Sequence, residues 1–439
     1  MKAVVGFLNR SRSITPLVTF RITYGLLLFF SSIRFWYQGW IDSLFIEPSF
    51  HFKYYGFHWI TMCPEMLIKP LFAVMILAAL CMAVGLFYRY ALGLFLVLFT
   101  YFELVDATNY LNHHYLVILF GILLLCAPAH RYFSLDVRRG AVTQSTQIPQ
   151  FYILILIAQI AAVYTFAGLA KLNSDWLLQA MPLRIWLLEY QDFPLVGGLL
   201  KYTQTALVFS WFAALYDCTI IYFLLYGPTR KWAYFTVVVF HILTAVFFNI
   251  GIFPWLMIVS NLIFFGDVFH KRLYAQKSTF APTKENVPRV QPYLMITMLV
   301  FFTVQLLLPL RHLAYSGNTM VTELGYRFGW RVMLLEKAGI ATFTLRDKAD
   351  DRYMEIDNRQ YLTEFQEKQM AIQPDFMIQF AQHIAARNSD IVKSSAVSVA
   401  SFITINGRVS QRFIQQDLDL LQVQDDWSDK PWIIYRSVK

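Results

Sequence analysis

About nine separate stretches of this chain approach the roughly 20 consecutive apolar residues that a helix needs to cross the hydrocarbon core of a bilayer. They begin near Pro16, Lys69, Ala91, His114, Phe151, Thr203, Trp232, Phe253 and Pro292, and the eighth is the shortest. In lipid no water reaches the backbone, so each stretch must close its N–H and C=O bonds within itself, as a helix. Composition points the same way: 57% of the residues are apolar, 15% are charged, and Phe occurs 40 times. That is more apolar surface than one water-soluble core can cover. The expectation is a mainly α, polytopic helical membrane protein of about nine spans.

Basic residues predict its orientation. Lys2, Arg10, Arg12 and Arg21 precede or enter the first span. Arg89, then Arg131, Arg138 and Arg139, then Arg230 and Lys231, then Lys271, Arg272, Lys277, Lys284 and Arg289 fall in alternate loops. Lys/Arg bias marks cytoplasmic loops, so the N-terminus is expected inside. The loops carrying Asp42, Glu47, Glu103, Asp106, Asp175 and Asp192 are expected outside, with everything after about Leu310. The net charge of +9 then reads as topology and contact with anionic headgroups of the lipid bilayer. Nothing has the basic, aromatic-interleaved pattern of a nucleic-acid binder. The run from Pro16 to Trp36 is longer than a signal-peptide apolar region and is read as a retained helix. Cys63, Cys81, Cys126 and Cys218 show neither disulfide nor metal-ligand spacing, so no metal is expected.

The last part of the chain changes character. "ATFTLRD" and "RYMEID" alternate and flank the polar "KADD", which predicts a hairpin. "PDFMIQFAQHIAARN" has helical spacing, with Phe376, Ile378, Phe380 and Ile384 forming much of an apolar face. "SVASFITINGRVSQRFI" sets Asn406 and Gly407 between two strand-like runs, a strong hairpin signal. Residues 1–310 are therefore expected to form a membrane domain, and residues 311–439 a small extracytoplasmic α+β module. The stretch from Lys271 to Val290 reads as a cytoplasmic linker.

Polar residues kept inside the apolar part are the candidates for function. Lys171 ends the run "VYTFAGLAKLNSDW" at the outer face; snorkelling to headgroups is the plain alternative. "DATNYLNHHYL" sets Asn112, His113 and His114 at the outer entrance of the fourth span, where two adjacent histidines cannot both face one site. His241 lies within "VVVFHILTAVFFNIG", with Asn249 near its outer end. These residues suggest an outward-opening apolar pocket in which partial desolvation favours a neutral lysine, the form a general base requires. The Trp- and Leu-rich "DWLLQAMPLRIWLLEY" is expected to lie at the interface as a lid. Its Arg184 is read as a headgroup contact, with carboxylate binding as the alternative.

Several colinear blocks resemble the vitamin K-dependent gamma-glutamyl carboxylases, whose membrane region is called the HTTM domain. They are "VDATNYLNHHYL", "VYTFAGLAKLNSDW", "VFHILTAVFFNIGIFPWLMI", "QLLLPLRH" and "GYRFGWRVML", followed by "ITINGRVSQRF" with "DLDLLQ". The resemblance implies an enzyme that oxygenates reduced vitamin K with O2 to the 2,3-epoxide. The strong base so formed removes a γ-proton from a protein glutamate, to which CO2 adds. It implies Lys171 as the base that deprotonates the quinol and His113 as the histidine near it. It further implies roles in quinol or substrate binding for Asn112, His241, His312, Tyr326 and Trp330, the last two within a block associated with glutamate. The expected cofactor is menaquinol or phylloquinol, with O2 and CO2 as co-substrates and no metal. The expected partners are the membrane quinol and a glutamate-containing protein or peptide, in a bacterial inner membrane.

The departures bear on function too. The sequence ends at "KPWIIYRSVK", where the eukaryotic carboxylases continue into a propeptide-binding domain, and no cysteine follows Cys218 to complete the family disulfide. Val321 and Thr322 stand where the glutamate-associated block opens with Trp-Thr. Quinol epoxidation without carboxylation is one alternative. A non-enzymatic membrane binding or transport protein is another, although a transporter would be expected to show paired, broken helices in repeated halves.

Overall fold

In a computed structural model of the chain, residues 2–273, 287–350, 352–390, 392 and 395–435 are described. Lys277 and Lys284 of the basic linker lie outside them.

Each of the nine apolar stretches contains a helix, and seven of these are long and apolar enough to cross a membrane. The seven are α1 (Thr15–Tyr37), α2 (Glu65–Val84), α3 (Tyr88–Val105), α5 (Phe151–Lys171), α8 (Thr203–Leu225), α9 (Arg230–Phe247) and the helix opened by α11 (Pro292–Leu307), which continues as a tighter turn to Ala314. The other two are shorter: α4 (Asn112–Cys126), and α10 (Phe253–Ser260), whose apolar run reaches Phe264. Of the about nine expected spans, seven thus meet the length and apolarity of a membrane-crossing helix, and the remaining two, including the eighth that is expected to be shortest, are shorter apolar helices. Pro128 and Pro254 lie just after one short helix and at the start of the other, places where a missing N–H is tolerated and extension is not. Between α5 and α8 the chain makes the short helices α6 (Ser174–Gln179) and α7 (Leu183–Leu188), followed by a single helical turn at Gly197–Leu200.

Neighbours in sequence pack as neighbours in space: α1 on α2, α2 on α3, α3 on α4, α8 on α9 and α9 on α10. Long connections bring α5 against α8 and α10 against α1. A two-stranded clip, β1 (Ser11–Ser13) antiparallel to β2 (Gln147–Pro149), ties the entry of α1 to that of α5.

The rest of the chain builds a four-stranded antiparallel sheet in the order β4-β3-β5-β6. Here β3 is Lys337–Asp347, β4 Tyr353–Ile356, β5 Ser395–Ile405 and β6 Gln411–Arg412. The β3–β4 hairpin forms as its alternation predicts, with Phe343 opposite Ile356 and Arg346 opposite Tyr353. Period-2 burial sets Phe343 and Leu345 opposite Val399 and Val397 on one inward face. The predicted helix, α13 (Pro374–Arg387), covers that face and buries Phe376, Ile378, Phe380 and Ile384 completely. Before it, α12 (Glu364–Met370) starts with a capping box between Thr363 and Gln366. Asn406 and Gly407 both adopt positive φ, 51° and 71°, and turn the chain between β5 and β6, as Asn-Gly turns do.

This core does not stop at the sheet. Phe52, Tyr54 and Ala107, from loops between membrane helices, belong to the same apolar cluster. Gln379 clasps the backbone of Lys53 from both sides, accepting from its N–H at 2.8 Å and donating to its C=O at 2.9 Å. Gln366 donates to Phe50 O and to the Asp106 carboxylate. The four cysteines are free.

Candidate functional site

The local sequence "AKLNSDW" dictates how α5 ends. Leu172 leaves the helix with ψ near 62°, and Asn173 caps α6, its Oδ1 accepting the N–H of Trp176 at 3.0 Å. Trp176 is thereby folded back beside the lysine, its ring centroid 5.4 Å from Nζ. The Trp176 indole donates to Ser210 O at 2.8 Å and the Ser210 hydroxyl donates to Trp176 O, so α6 is clipped to α8.

Lys171 does not snorkel. It is 5% exposed, and Nζ donates to Asp217 Oδ2 at 2.7 Å and to Ala167 O at 3.4 Å. Asp217, from the middle of α8, is 6% exposed. The two helices come this close because Gly168 has no side chain. A Cβ there would stand 2.7 Å from Cys218 Sγ and 2.8 Å from Cys218 N, distances no real Cβ tolerates. Removing one partner of such a pair leaves a lone buried charge, at a cost of about 3–5 kcal/mol.

Lys171 and Asp217 line a cavity of about 370 Å³ between α5, α8, α9 and α10, within the ~300–1,000 Å³ typical of small-molecule sites. Its walls are largely aromatic and aliphatic, including Phe209, Phe212, Phe240, Phe247 and Phe253. Trp176, Leu183 and Leu187 of α6 and α7 close one side, where the lid was expected. Arg184 is exposed and does not line the cavity. Val208, Phe209 and Phe212 of α8 and Leu243 of α9 are lining residues that are also exposed, so the cavity has a mouth on the outer surface between those helices.

A polar chain runs along the same wall. The Tyr164 hydroxyl lies 3.3 Å from that of Tyr216 and 3.5 Å from His241 Nε2, and it accepts from Asn261 Nδ2 at 3.0 Å. His241 is 2% exposed, and its Nδ1 has no protein partner among the described residues.

The remaining expected residues divide. His113 is buried behind Phe253, whose ring centroid is 6.3 Å from that of His113 and 5.9 Å from that of His241. Gly251, at φ 61°, leaves room for it: a Cβ would stand 3.1 Å from His113 Nε2. His114 points elsewhere, with Nδ1 2.8 Å from the Glu103 carboxylate. Asn112 is turned toward the C-terminal part, accepting from the Tyr110 hydroxyl at 3.0 Å and donating to Arg331 O at 3.4 Å. His312 rests against Gly325 with Nδ1 2.8 Å from Pro309 O. Tyr326 is partly buried, and burial pushes its phenol up. Trp330 is fully buried and stacks on Tyr115 at 5.2 Å. Of the seven expected residues, Lys171 and His241 line the cavity; Asn112, His113, His312, Tyr326 and Trp330 do not.

In place of Trp330, the segment it belongs to reaches the cavity through Val332 and Met333. Phe328, Trp330 and Met333 all have positive φ, 60°, 56° and 58°, backbone conformations that non-glycine residues adopt only when their surroundings impose them. A second unforeseen contact holds the lid. Arg408 grips Asp175 with Nη1 and Nη2 at 2.8 and 2.5 Å, Asn406 Nδ2 adds a bond at 2.9 Å, and Trp186 Nε1 donates to Glu336 at 2.6 Å. Burial alone would raise the Asp175 carboxyl, but the bonds from Arg408 and Asn406 hold it below its usual range. The Asn406–Gly407 turn is therefore also the clasp between sheet and lid.

Residues 9–267 match the family model described as the HTTM domain, and residues 290–438 match the one described as the vitamin K-dependent gamma-carboxylase lumenal domain. No solved structure matches the chain.

Proposed function

The chain belongs to the vitamin K-dependent gamma-carboxylase family, and from that premise we propose that it oxygenates a reduced vitamin K quinol to its 2,3-epoxide and couples this to CO2 addition at the γ-carbon of a glutamate in a protein or peptide. The observation that carries the reading is the Lys171–Asp217 pair in the wall of an apolar, lidded cavity. A flat aromatic headgroup suits the phenylalanine-rich walls, and the unpaired Nδ1 of His241 offers a hydrogen bond to a hydroxyl. The mouth between α8 and α9 gives a prenyl tail a way out to lipid. When bound, the quinol supplies through its oxidation by O2 a base stronger than any side chain, which the weakly acidic γ-carbon of glutamate requires.

The residues then have distinct tasks. Two formal charges are costly to hold in an apolar wall. The 2.7 Å bond to Asp217 Oδ2 gives a proton of the Lys171 ammonium an acceptor when a hydroxyl is bound, so that the free amine forms only in use. That amine can take a proton from a hydroxyl held in the cavity. Trp176, Leu183 and Leu187 keep water from a base it would quench. His113, behind Phe253, positions that ring. We place the N-terminus in the cytoplasm and the sheet outside, following the Lys/Arg bias of the loops. Menaquinol is the quinol we assign.

The test is incubation of the purified protein with reduced vitamin K, O2 and labelled bicarbonate, reading epoxide by mass and label in a glutamate peptide. Epoxide with labelled peptide is expected. Epoxide without label would leave an epoxidase, and quinol binding without epoxide would overturn the enzymatic reading.

A further inference from the structure

We propose that a second cavity, between the membrane helices and the sheet, binds an extended peptide and holds a glutamate side chain of it on Arg311; this rests on the carboxylase reading above and assigns the place of its acidic substrate. The cavity is about 360 Å³ and is lined by membrane-loop residues such as Tyr54 and Tyr115 and by the segment 322–328. Unlike the first cavity it carries many charges, and nearly all of them are matched.

Asp375 is held by Arg327 Nη1 at 2.6 Å, and Glu323 by Lys337 Nζ at 3.0 Å. Asp425 accepts from Gln379 Nε2 at 2.8 Å and Asp426 from Ser428 N at 2.8 Å, with Lys430 as their cationic neighbour. Lys430 forms no ion pair among the described residues but has Asp375, Asp425 and Asp426 as neighbours, whereas Arg311 has no such carboxylate. Arg311 is half-buried, donates through Nη2 to the Arg327 carbonyl at 2.7 Å, and has no carboxylate partner among the described residues. Its surroundings are the Phe328 ring at 5.9 Å and Tyr110, Tyr115 and Tyr315. A guanidinium walled by rings and left without a counter-charge is a receptor for a planar carboxylate, which it can grip with two parallel bonds. The first cavity offers no such group, because its cation, Lys171, is already taken by Asp217.

Position favours the same assignment. Tyr55 and Trp427 line the second cavity while 45% and 67% exposed, their rings 5.3 Å apart, an apolar lip for the side chains that flank a glutamate. At the inner end, Phe328 belongs to this cavity and Val332 and Met333 to the first, with Trp330 between them stacked on Tyr115. One strained segment thus forms part of the wall of both, so a carboxylate on Arg311 would sit one short stretch of chain away from the Lys171 cavity.

The test uses the full chain in nanodiscs and two fluorescent pentapeptides that differ only in a central glutamate or glutamine, with binding read by polarisation and no quinol present. Wild type should prefer the glutamate peptide by about tenfold or more, as expected of a charge-assisted bidentate contact. Arg311→Gln should bring the two peptides within about twofold of each other. Arg311→Lys, which keeps the charge and loses the fork, should retain part of the preference, and it carries the test if Arg311→Gln does not fold. An undiminished preference in both variants, or no preference in wild type, overturns the proposal. Epoxide formation by wild type without peptide reports separately on the carboxylase reading. Epoxide with no glutamate preference sinks only the Arg311 site, whereas an Arg311-dependent preference without epoxide sinks only the carboxylase.

Discussion

Nζ of Lys171 lies 2.7 Å from Oδ2 of Asp217, although 46 positions separate the two residues in sequence. The ammonium at the end of an apolar helix is therefore neither free nor drawn out to headgroups. Its partner comes from the centre of the neighbouring span, and both groups face the cavity that would hold the quinol.

Lys171→Met is predicted to abolish epoxide formation and also to destabilise the protein by about 3–5 kcal/mol, because Asp217 is left buried and alone. The double variant Lys171→Met/Asp217→Leu should regain much of that stability and none of the activity. Asp217→Asn should fold but lose roughly 100-fold in rate, the lower range for a lost proton-transfer partner. Mass detection of epoxide alongside thermal unfolding separates these outcomes; wild-type epoxidation in the Lys171→Met protein would remove Lys171 from the mechanism.

Gly168→Ala should act one helical turn from the lysine without touching any reactive group. The added methyl meets Cys218 Sγ and backbone, so α5 and α8 must part. Overpacking of this kind costs about 1–3 kcal/mol, and stretching the Lys171–Asp217 bond should lower activity beyond what the lost stability explains. Equal melting temperature and equal rate would show that the helices have slack there.

The two adjacent histidines should separate cleanly. His113→Ala opens a void behind Phe253 and should lower epoxidation by about tenfold or more, whereas His114→Ala removes a contact with Glu103 away from the cavity and should be mild. Gly251→Ala should resemble His113→Ala, since its φ of 61° and its contact with Nε2 both resist a side chain. The reverse ranking of the histidines would move the site to the other face of α4.

Much of this was legible in the chain itself, because span length and strand alternation are local signals. The β3–β4 hairpin, α13 and the Asn406–Gly407 turn each follow from a pattern a few residues long. Asp217 was missed because it sits in "WFAALYDCTIIYF", where apolar neighbours mask it. The signal was present nonetheless: a lone carboxylate inside a span demands a cation, and Lys171 stood unpaired in the neighbouring apolar run. Asn112 and Tyr326 could not be placed from local pattern, since what they face depends on how the sheet docks onto the loops. The same holds for Asp175 and Arg408, whose bond joins parts of the chain 233 positions apart.

That bond gives a pH dependence with a definite sign. The folded Asp175 carboxyl is depressed below its ordinary value near 3.8, so its contribution to docking is fully present above about pH 4 and fades as pH falls through the lower folded value. Hydrogen-exchange protection of residues 174–188 and 403–411, corrected for intrinsic rates, should hold from pH 7 down to about 4 and then drop. Arg408→Ala should lower it throughout. A loss of protection centred near pH 6 would point to a histidine instead.

The run from Phe328 to Met333 contributes to the walls of both cavities, so on the functions proposed for them their contents should be interdependent. Held in unfavourable backbone wells by packing on both sides, it has little freedom to yield toward one chamber without shifting in the other. Linkage then fixes a symmetry: whatever factor an occupied peptide chamber imposes on quinol affinity, bound quinol imposes on peptide affinity in return. A substitution that relaxes Trp330 should weaken that mutual dependence, leaving quinol affinity nearly the same with and without bound peptide.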